Sequence, residues 1–208
     1  CKVWKNSETL WTDVIRNYPT EAEIAYKNRG DYYADIHKYE LVLNDCNSYI
    51  SLKKDDPKIY FNRGIIYSMM KNYERAIDDY NHTLMIYPIL TNCHAASREK
   101  KFILKVYRNR GFAFLQRGDF KKAVDDYTEV IRQTSVDADA SFYRALANFN
   151  LKNYDEANWD YNKSIGLKPD NPNAYHNRGM LRHELKQYEH AIEDYNKAIA
   201  LNHNIPEI

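Results

Sequence analysis

Three cysteines in 208 residues, Cys1, Cys46 and Cys93, form no Cys-x-x-Cys pair and no disulfide framework. They leave the redox compartment open. Charge of one sign is missing too: 30 basic residues stand against 29 acidic ones, for a net charge of +1. No field of that size favours nucleic acid or an anionic membrane. No stretch stays apolar long enough to span a bilayer, and no secretory signal heads the chain. It begins at Cys1 rather than Met, which suggests a fragment or a processed product. The six glycines build no phosphate-cradling loop and no nucleophile elbow. His176 and His183 are two turns apart on one helical face, outside the i, i+4 spacing of a helical zinc pair. His94 neighbours Cys93 without an obvious third ligand. No metal or cofactor is expected, and the expectation is a protein that is not an enzyme.

What is present is a period. Tyr-x-Asn-Arg-Gly recurs at Arg29-Gly30, Arg63-Gly64, Arg110-Gly111 and Arg178-Gly179, and Gly30 to Gly64 is a step of 34. Arg110 to Arg144 and Arg144 to Arg178 are 34 again, while Gly64 to Gly111 is 47, a period plus 13. An aspartate follows each arginine at i+16: Asp45, Asp79, Asp126, Asp160 and Asp194. Small and aromatic residues at fixed offsets within such a period mark a helix–turn–helix solenoid. Acidic residues fall at these repeated positions, so paired-carboxylate catalysis has no separate support.

Counting each repeat so that its glycine is position 8, position 4 is Tyr26, Tyr60, Tyr107, Ser141 and Tyr175. Position 20 is Val42, Ala76, Ala123, Ala157 and Ala191, and position 24 is Cys46, Tyr80, Tyr127, Tyr161 and Tyr195. These residues resemble the tetratricopeptide repeat (TPR) family. Small residues at 8 and 20 let two antiparallel helices approach, and aromatics at 4 and 24 fill the remaining volume. Val42, Cys46, Ser141 and Ala145 depart from the pattern. The resemblance implies an all-α, right-handed TPR superhelix.

The expected organisation is one domain over 1–208. Residues 1–22 hold an N-terminal helix, from Ser7 as cap to Tyr18, that shields the first repeat. The repeats span 23–56, 57–90, 104–137, 138–171 and 172–205, with an insertion at 91–103 and a tail at 206–208. The insertion should extend helix A of the third repeat back to Ala96 or Ser97, as a surface elaboration or as a docking feature. The C-terminal repeat lacks the polar capping helix usual in TPR arrays, so either more protein follows or the apolar end face packs on another molecule, with Ile192, Ile199 or their neighbours expected in an intermolecular contact.

In TPR proteins partner peptides bind a concave wall built from one face of each A helix. Here that face carries Lys27, Asn28, Asp31, Phe61, Asn62, Ile65, Met69, Arg108, Asn109, Phe112, Phe142, Leu146, Phe149, His176, Asn177 and Met180. Its apolar middle either meets a partner or packs between adjacent A helices. The asparagines Asn28, Asn62, Asn109 and Asn177, interrupted by Tyr143, could hold an extended backbone, since a carboxamide both donates and accepts. A chaperone-type carboxylate clamp is not expected, because Asp31 replaces the asparagine such a clamp needs and would repel a carboxylate. The five pairs Arg29/Asp45, Arg63/Asp79, Arg110/Asp126, Arg144/Asp160 and Arg178/Asp194 read as a structural ion-pair ladder.

The expected function is therefore non-enzymatic recognition of a protein or peptide, with no nucleic acid and no membrane contact by this segment. A self-assembling module is one alternative. Another comes from the opening Val3-Trp4-Lys5-Asn6-Ser7-Glu8-Thr9-Leu10-Trp11, which resembles the segment after the last span of multi-pass membrane proteins with C-terminal TPRs, including glycosyltransferase-like O-mannosyltransferases. That resemblance implies an extracytoplasmic domain, against a cytosolic TPR protein on the plain reading.

Overall fold

Several of the helices begin where a short polar side chain can hold the free N–H groups of the first turn. In the computed structural model, which describes residues 4–87, 97–134 and 136–203, eleven helices and no strand are present among the described residues. They are α1 (Ser7–Asn17), α2 (Glu23–Asp35), α3 (Tyr39–Leu52), α4 (Pro57–Met69), α5 (Tyr73–Ile86), α6 (Ser97–Arg117), α7 (Phe120–Thr134), α8 (Ala138–Asn150), α9 (Tyr154–Leu167), α10 (Pro172–Glu184) and α11 (Tyr188–His203). Asp56 and Asn171 cap α4 and α10, each followed by a proline at the first helical position, where a missing N–H costs nothing. The cap of α1 is Asn6 rather than the expected Ser7. Its Oδ1 accepts from the Thr9 N–H at 2.9 Å, and Thr9 Oγ1 accepts in return from the Asn6 N–H at 3.2 Å, a reciprocal capping box.

Every A helix is followed by a residue in the left-handed region. These are His37 (φ 57°), Lys71 (59°), Gly118 (89°), Lys152 (62°) and Lys186 (60°), all at position 15 of their repeats. The next N–H then reaches back toward the helix end, as Asn72 N–H does to the Tyr67 carbonyl at 2.8 Å and Asp119 N–H to that of Phe114 at 2.9 Å. Only Gly118 adopts this conformation without a Cβ penalty.

The chain divides into two units, Cys1–Val106 and Tyr107–Ile208, with the division inside α6. The first unit buries Tyr33, Val42, Leu43, Cys46, Tyr49, Ile59, Tyr60 and Ile66 as one core. The second buries Ala145, Ala157, Tyr161 and Leu181, with Phe142, Phe149 and Tyr154 against them. α6 runs 21 residues against 13 for α4, α8 and α10; Ala96 and the first residues of the insertion lie outside the described residues.

A tyrosine on helix B fills the notch left by the position-8 glycine on helix A. A Cβ added to Gly64 would sit 2.7 Å from the Tyr80 ring, one on Gly179 2.7 Å from Tyr195, and one on Gly111 3.0 Å from Tyr127. Tyr80 is fully buried, so its ring has nowhere to go. A Cβ on Gly30 meets only Asp45 Cβ at an ordinary 3.6 Å. Gly64→Ala should therefore destabilise by about 1–3 kcal/mol net of its gain in helix propensity. Gly30→Ala should be neutral or stabilise by up to about 1 kcal/mol. Urea denaturation of the two variants checks the contrast, and equal losses would sink this account of the notch.

Candidate functional site

The five arginines at position 7 each grip the aspartate at i+16 with two hydrogen bonds, Nε to Oδ2 and Nη2 to Oδ1, at 2.6–2.9 Å throughout. All five aspartates are buried. The third nitrogen, Nη1, of Arg29, Arg63, Arg144 and Arg178 turns the other way. It donates to Thr12 (3.0 Å) from Arg29, to Asn47 (2.6 Å) from Arg63, to Thr128 (3.1 Å) from Arg144 and to Asn162 (2.6 Å) from Arg178. One guanidinium thus ties its own helix B to the helix B before it. Thr12 lies on α1, so α1 occupies the place of that preceding helix for the first repeat. The flat faces of the guanidinium are used as well: Arg29 lies over Tyr26 and Tyr33, Arg63 over Tyr60 and Tyr67, Arg110 over Tyr107 and Phe114.

On the A-helix face of the first unit, Lys27 and Asp31 are exposed, Asn28, Asn62 and Ile65 half-buried, and Met69 is 54 % exposed. Phe61 does not belong with them. It is buried, with its ring edge-on to Phe102 at 5.2 Å and 5.9 Å from Tyr80. Phe102 comes from the insertion, so the segment that breaks the period covers the ring that the period would have left open.

In the second unit Phe112, Phe142, Leu146 and Phe149 are half-buried. Rings interlock there: Tyr143 meets Phe112 edge-on at 5.9 Å and Phe142 at 5.2 Å, and stacks on Tyr127 at 5.5 Å. Tyr143 stands as a gap in the asparagine row of the sequence, yet it is the hub of this aromatic patch. Its signal was the departure itself, since a ring at position 6 extends the rings at positions 5 and 9. Phe149 leans on Tyr154 at 6.0 Å, His176 on Tyr195 at 5.7 Å, and Met180 is 40 % exposed. Asn109 and Asn177 are half-buried on the same helices. Arg108 leaves the groove set: it donates through Nε and Nη2 to the Asp137 carboxylate, which also caps α8 through the Ala140 N–H at 2.9 Å. Its charge is spent inside the unit.

Residues 57–89 and 172–205 match one tetratricopeptide repeat family profile, and residues 109–172 match a second. This is a tetratricopeptide repeat protein. Among solved structures it is similar to MamA residues 41–end from Desulfovibrio magneticus RS-1, at 18 % identity and a TM-score of 0.79, covering 89 % of this chain and 97 % of that one. It is also similar to YrrB, a TPR protein with an unusual peptide-binding site, at 18 % identity and 0.73, covering 94 % and 93 %. These likenesses place the fold as an all-α solenoid. The TPR fold is a protein-interaction scaffold rather than a catalytic one.

Burial pushes the Asp79 and Asp126 carboxyls up from the ordinary carboxylate value, against the pull of their arginines. Burial likewise raises the phenols of Tyr80, Tyr127 and Tyr161 and pushes the Cys46 thiol up to about 12. No group of three His, Cys, Asp or Glu side chains among the described residues could hold a metal ion, and no described helix is long and apolar enough to cross a membrane.

An ion pair at this depth costs desolvation that its geometry offsets, so removing one partner should be worse than removing both. Arg63→Met should destabilise by about 3 kcal/mol, because it leaves Asp79 buried without its partner. Arg63→Met with Asp79→Leu should recover part of that loss. Chemical denaturation of the single and double variants decides it; a double variant as unstable as the sum of both singles would show no coupling between the two side chains and overturn this account.

Proposed function

We propose that the chain is a non-enzymatic recognition module that binds a segment of a partner protein on its A-helix face. The observation that carries this reading is the half-buried aromatic patch of Phe112, Phe142 and Tyr143, with Leu146 and Phe149, on the second unit. Half-exposed rings held rigid by one another are good anchors, since little side-chain entropy is lost when a partner covers them. Asn109 and Asn177 lie on the same face and suit the backbone of an extended segment. The near balance of charge favours a partner read through apolar side chains rather than through net charge. YrrB, on the same fold, has a peptide-binding site. The repeat boundaries proposed for this module are 23–56, 57–90, 104–137, 138–171 and 172–205, with 91–103 extending the third A helix.

Peptides selected from a displayed random library on the intact chain provide the probe. Phe112→Ala with Phe142→Ala should weaken the best of them by about 2–4 kcal/mol while far-ultraviolet circular dichroism stays unchanged. Unchanged affinity in the double variant would remove the patch as the binding site.

A second reading has its own observation. Ile192 and Ile199 on α11 are 58 % and 54 % exposed, and Ile199 borders a cleft with His176, Tyr195 and Ala198. Such a face suits self-association. Sedimentation of the wild type should then show a concentration-dependent dimer that Ile192→Glu with Ile199→Glu abolishes; a monomer at every concentration would end this reading.

A further inference from the structure

Position 24 carries a tyrosine in four repeats, and in three of them its ring lies against a ring at position 5. Tyr80 is 5.9 Å from Phe61, Tyr161 is 6.1 Å from Phe142, and Tyr195 is 5.7 Å from His176. The first repeat has neither ring. Position 24 is Cys46 and position 5 is Lys27, while the glycine notch that the tyrosine fills elsewhere is still there at Gly30.

What remains is a cavity of about 220 Å³ within the first unit, between α2, α3 and α4. Its walls include Gly30, Ala34, Val42, Cys46, Ile59 and Ile65, and Lys27, Asp31 and Asn62 of the A-helix face also border it. An apolar cavity of about 150 Å³ is enough to take up a benzene. The thiol forms part of this lining as a neutral, weakly polar group, since burial holds its pKa far above neutrality.

We infer that this cavity receives an aromatic side chain from a partner protein, which supplies the ring that the first repeat lacks. This rests on the recognition reading above and gives the first unit a chemically defined anchor of its own. Shape argues for a phenyl-sized group, because a tyrosine ring occupies the equivalent notch beside Gly64, Gly111 and Gly179. Charge argues for its neighbours. Lys27 and Asp31 are exposed, one turn apart, and in no ion pair among the described residues. A carboxylate and a cation flanking the partner's aromatic residue would meet them in turn, and the Lys27 ammonium can also lie over the bound ring.

The probe is p-cresol, the side chain of tyrosine alone, titrated into the intact chain and followed by amide chemical shifts. Saturable shifts around Ala34, Val42, Cys46 and Ile66 are expected, with a dissociation constant on the order of 1 mM for so small a ligand. Cys46→Tyr fills the notch from within and should weaken p-cresol at least about tenfold, while raising the melting temperature. Cys46→Leu fills less of the same space and serves where the tyrosine variant does not fold. N-acetyl-tyrosine amide should bind more tightly than N-acetyl-leucine amide. No saturable shifts, undiminished binding in both Cys46 variants, or a preference for the leucine amide would each overturn the inference. None of these would touch the peptide reading, which stands or falls on Phe112 and Phe142.

Discussion

The position-7 arginine does three jobs with one planar group, and the stacking within each unit depends on it. In Arg63 two nitrogens close on an aspartate of the following helix B, the third reaches the helix B before, and the faces lie against rings at positions 4 and 11. A lysine could not do this, since an ammonium is a point charge without a fork or a flat face. Burying five carboxylates is expensive: burial raises the Asp79 and Asp126 carboxyls against the pull of their arginines, while the hydrogen bond to Asp79 raises the Arg63 guanidinium in turn. The ladder is better understood as a register device than as a source of stability. It specifies which B helix follows which, because such a guanidinium has donors for two B helices and for no third.

Around that frame, volume is handled by complementary pairs. A glycine on helix A accepts a tyrosine from helix B, and alanines at position 20 let the helices close to the distance at which that ring fits. The device is repeated closely enough that its failure stands out. Where Cys46 replaces the tyrosine, the chain keeps the notch and loses the ring. Where Ala145 replaces the glycine, Tyr161 still packs fully buried. The two departures are not equivalent: the fourth repeat accommodates the Ala145 methyl group at position 8, whereas the missing ring at position 24 of the first leaves space.

Much of the fold was legible because its determinants recur at short, constant spacing. Each Arg–Asp pair spans a single turn at i+16, and the position-15 turns fall where one helix gives way to the next. The site was less legible. Phe61 read as an open anchor, yet Phe102, distant in the chain and outside the period, covers it. Arg108 read as a groove cation, yet Asp137, from the far end of the same repeat, takes its charge. Tyr143 read as an interruption, and only ring packing made it the centre of the patch. At the first cap the difference is one position, because Asn6 and Ser7 are both good caps and only the Thr9 hydroxyl chose between them.

The sequence by itself determined that this chain is an array of helix pairs, where the pairs begin and turn, and which charges bind them. Those features come from local propensity and from contacts within one period, and both can be read in linear order. The tertiary structure alone decided which A-helix rings stay available and where a cavity opens. Exposure and empty volume depend on side chains that arrive from elsewhere in the chain, and no spacing rule announces their arrival.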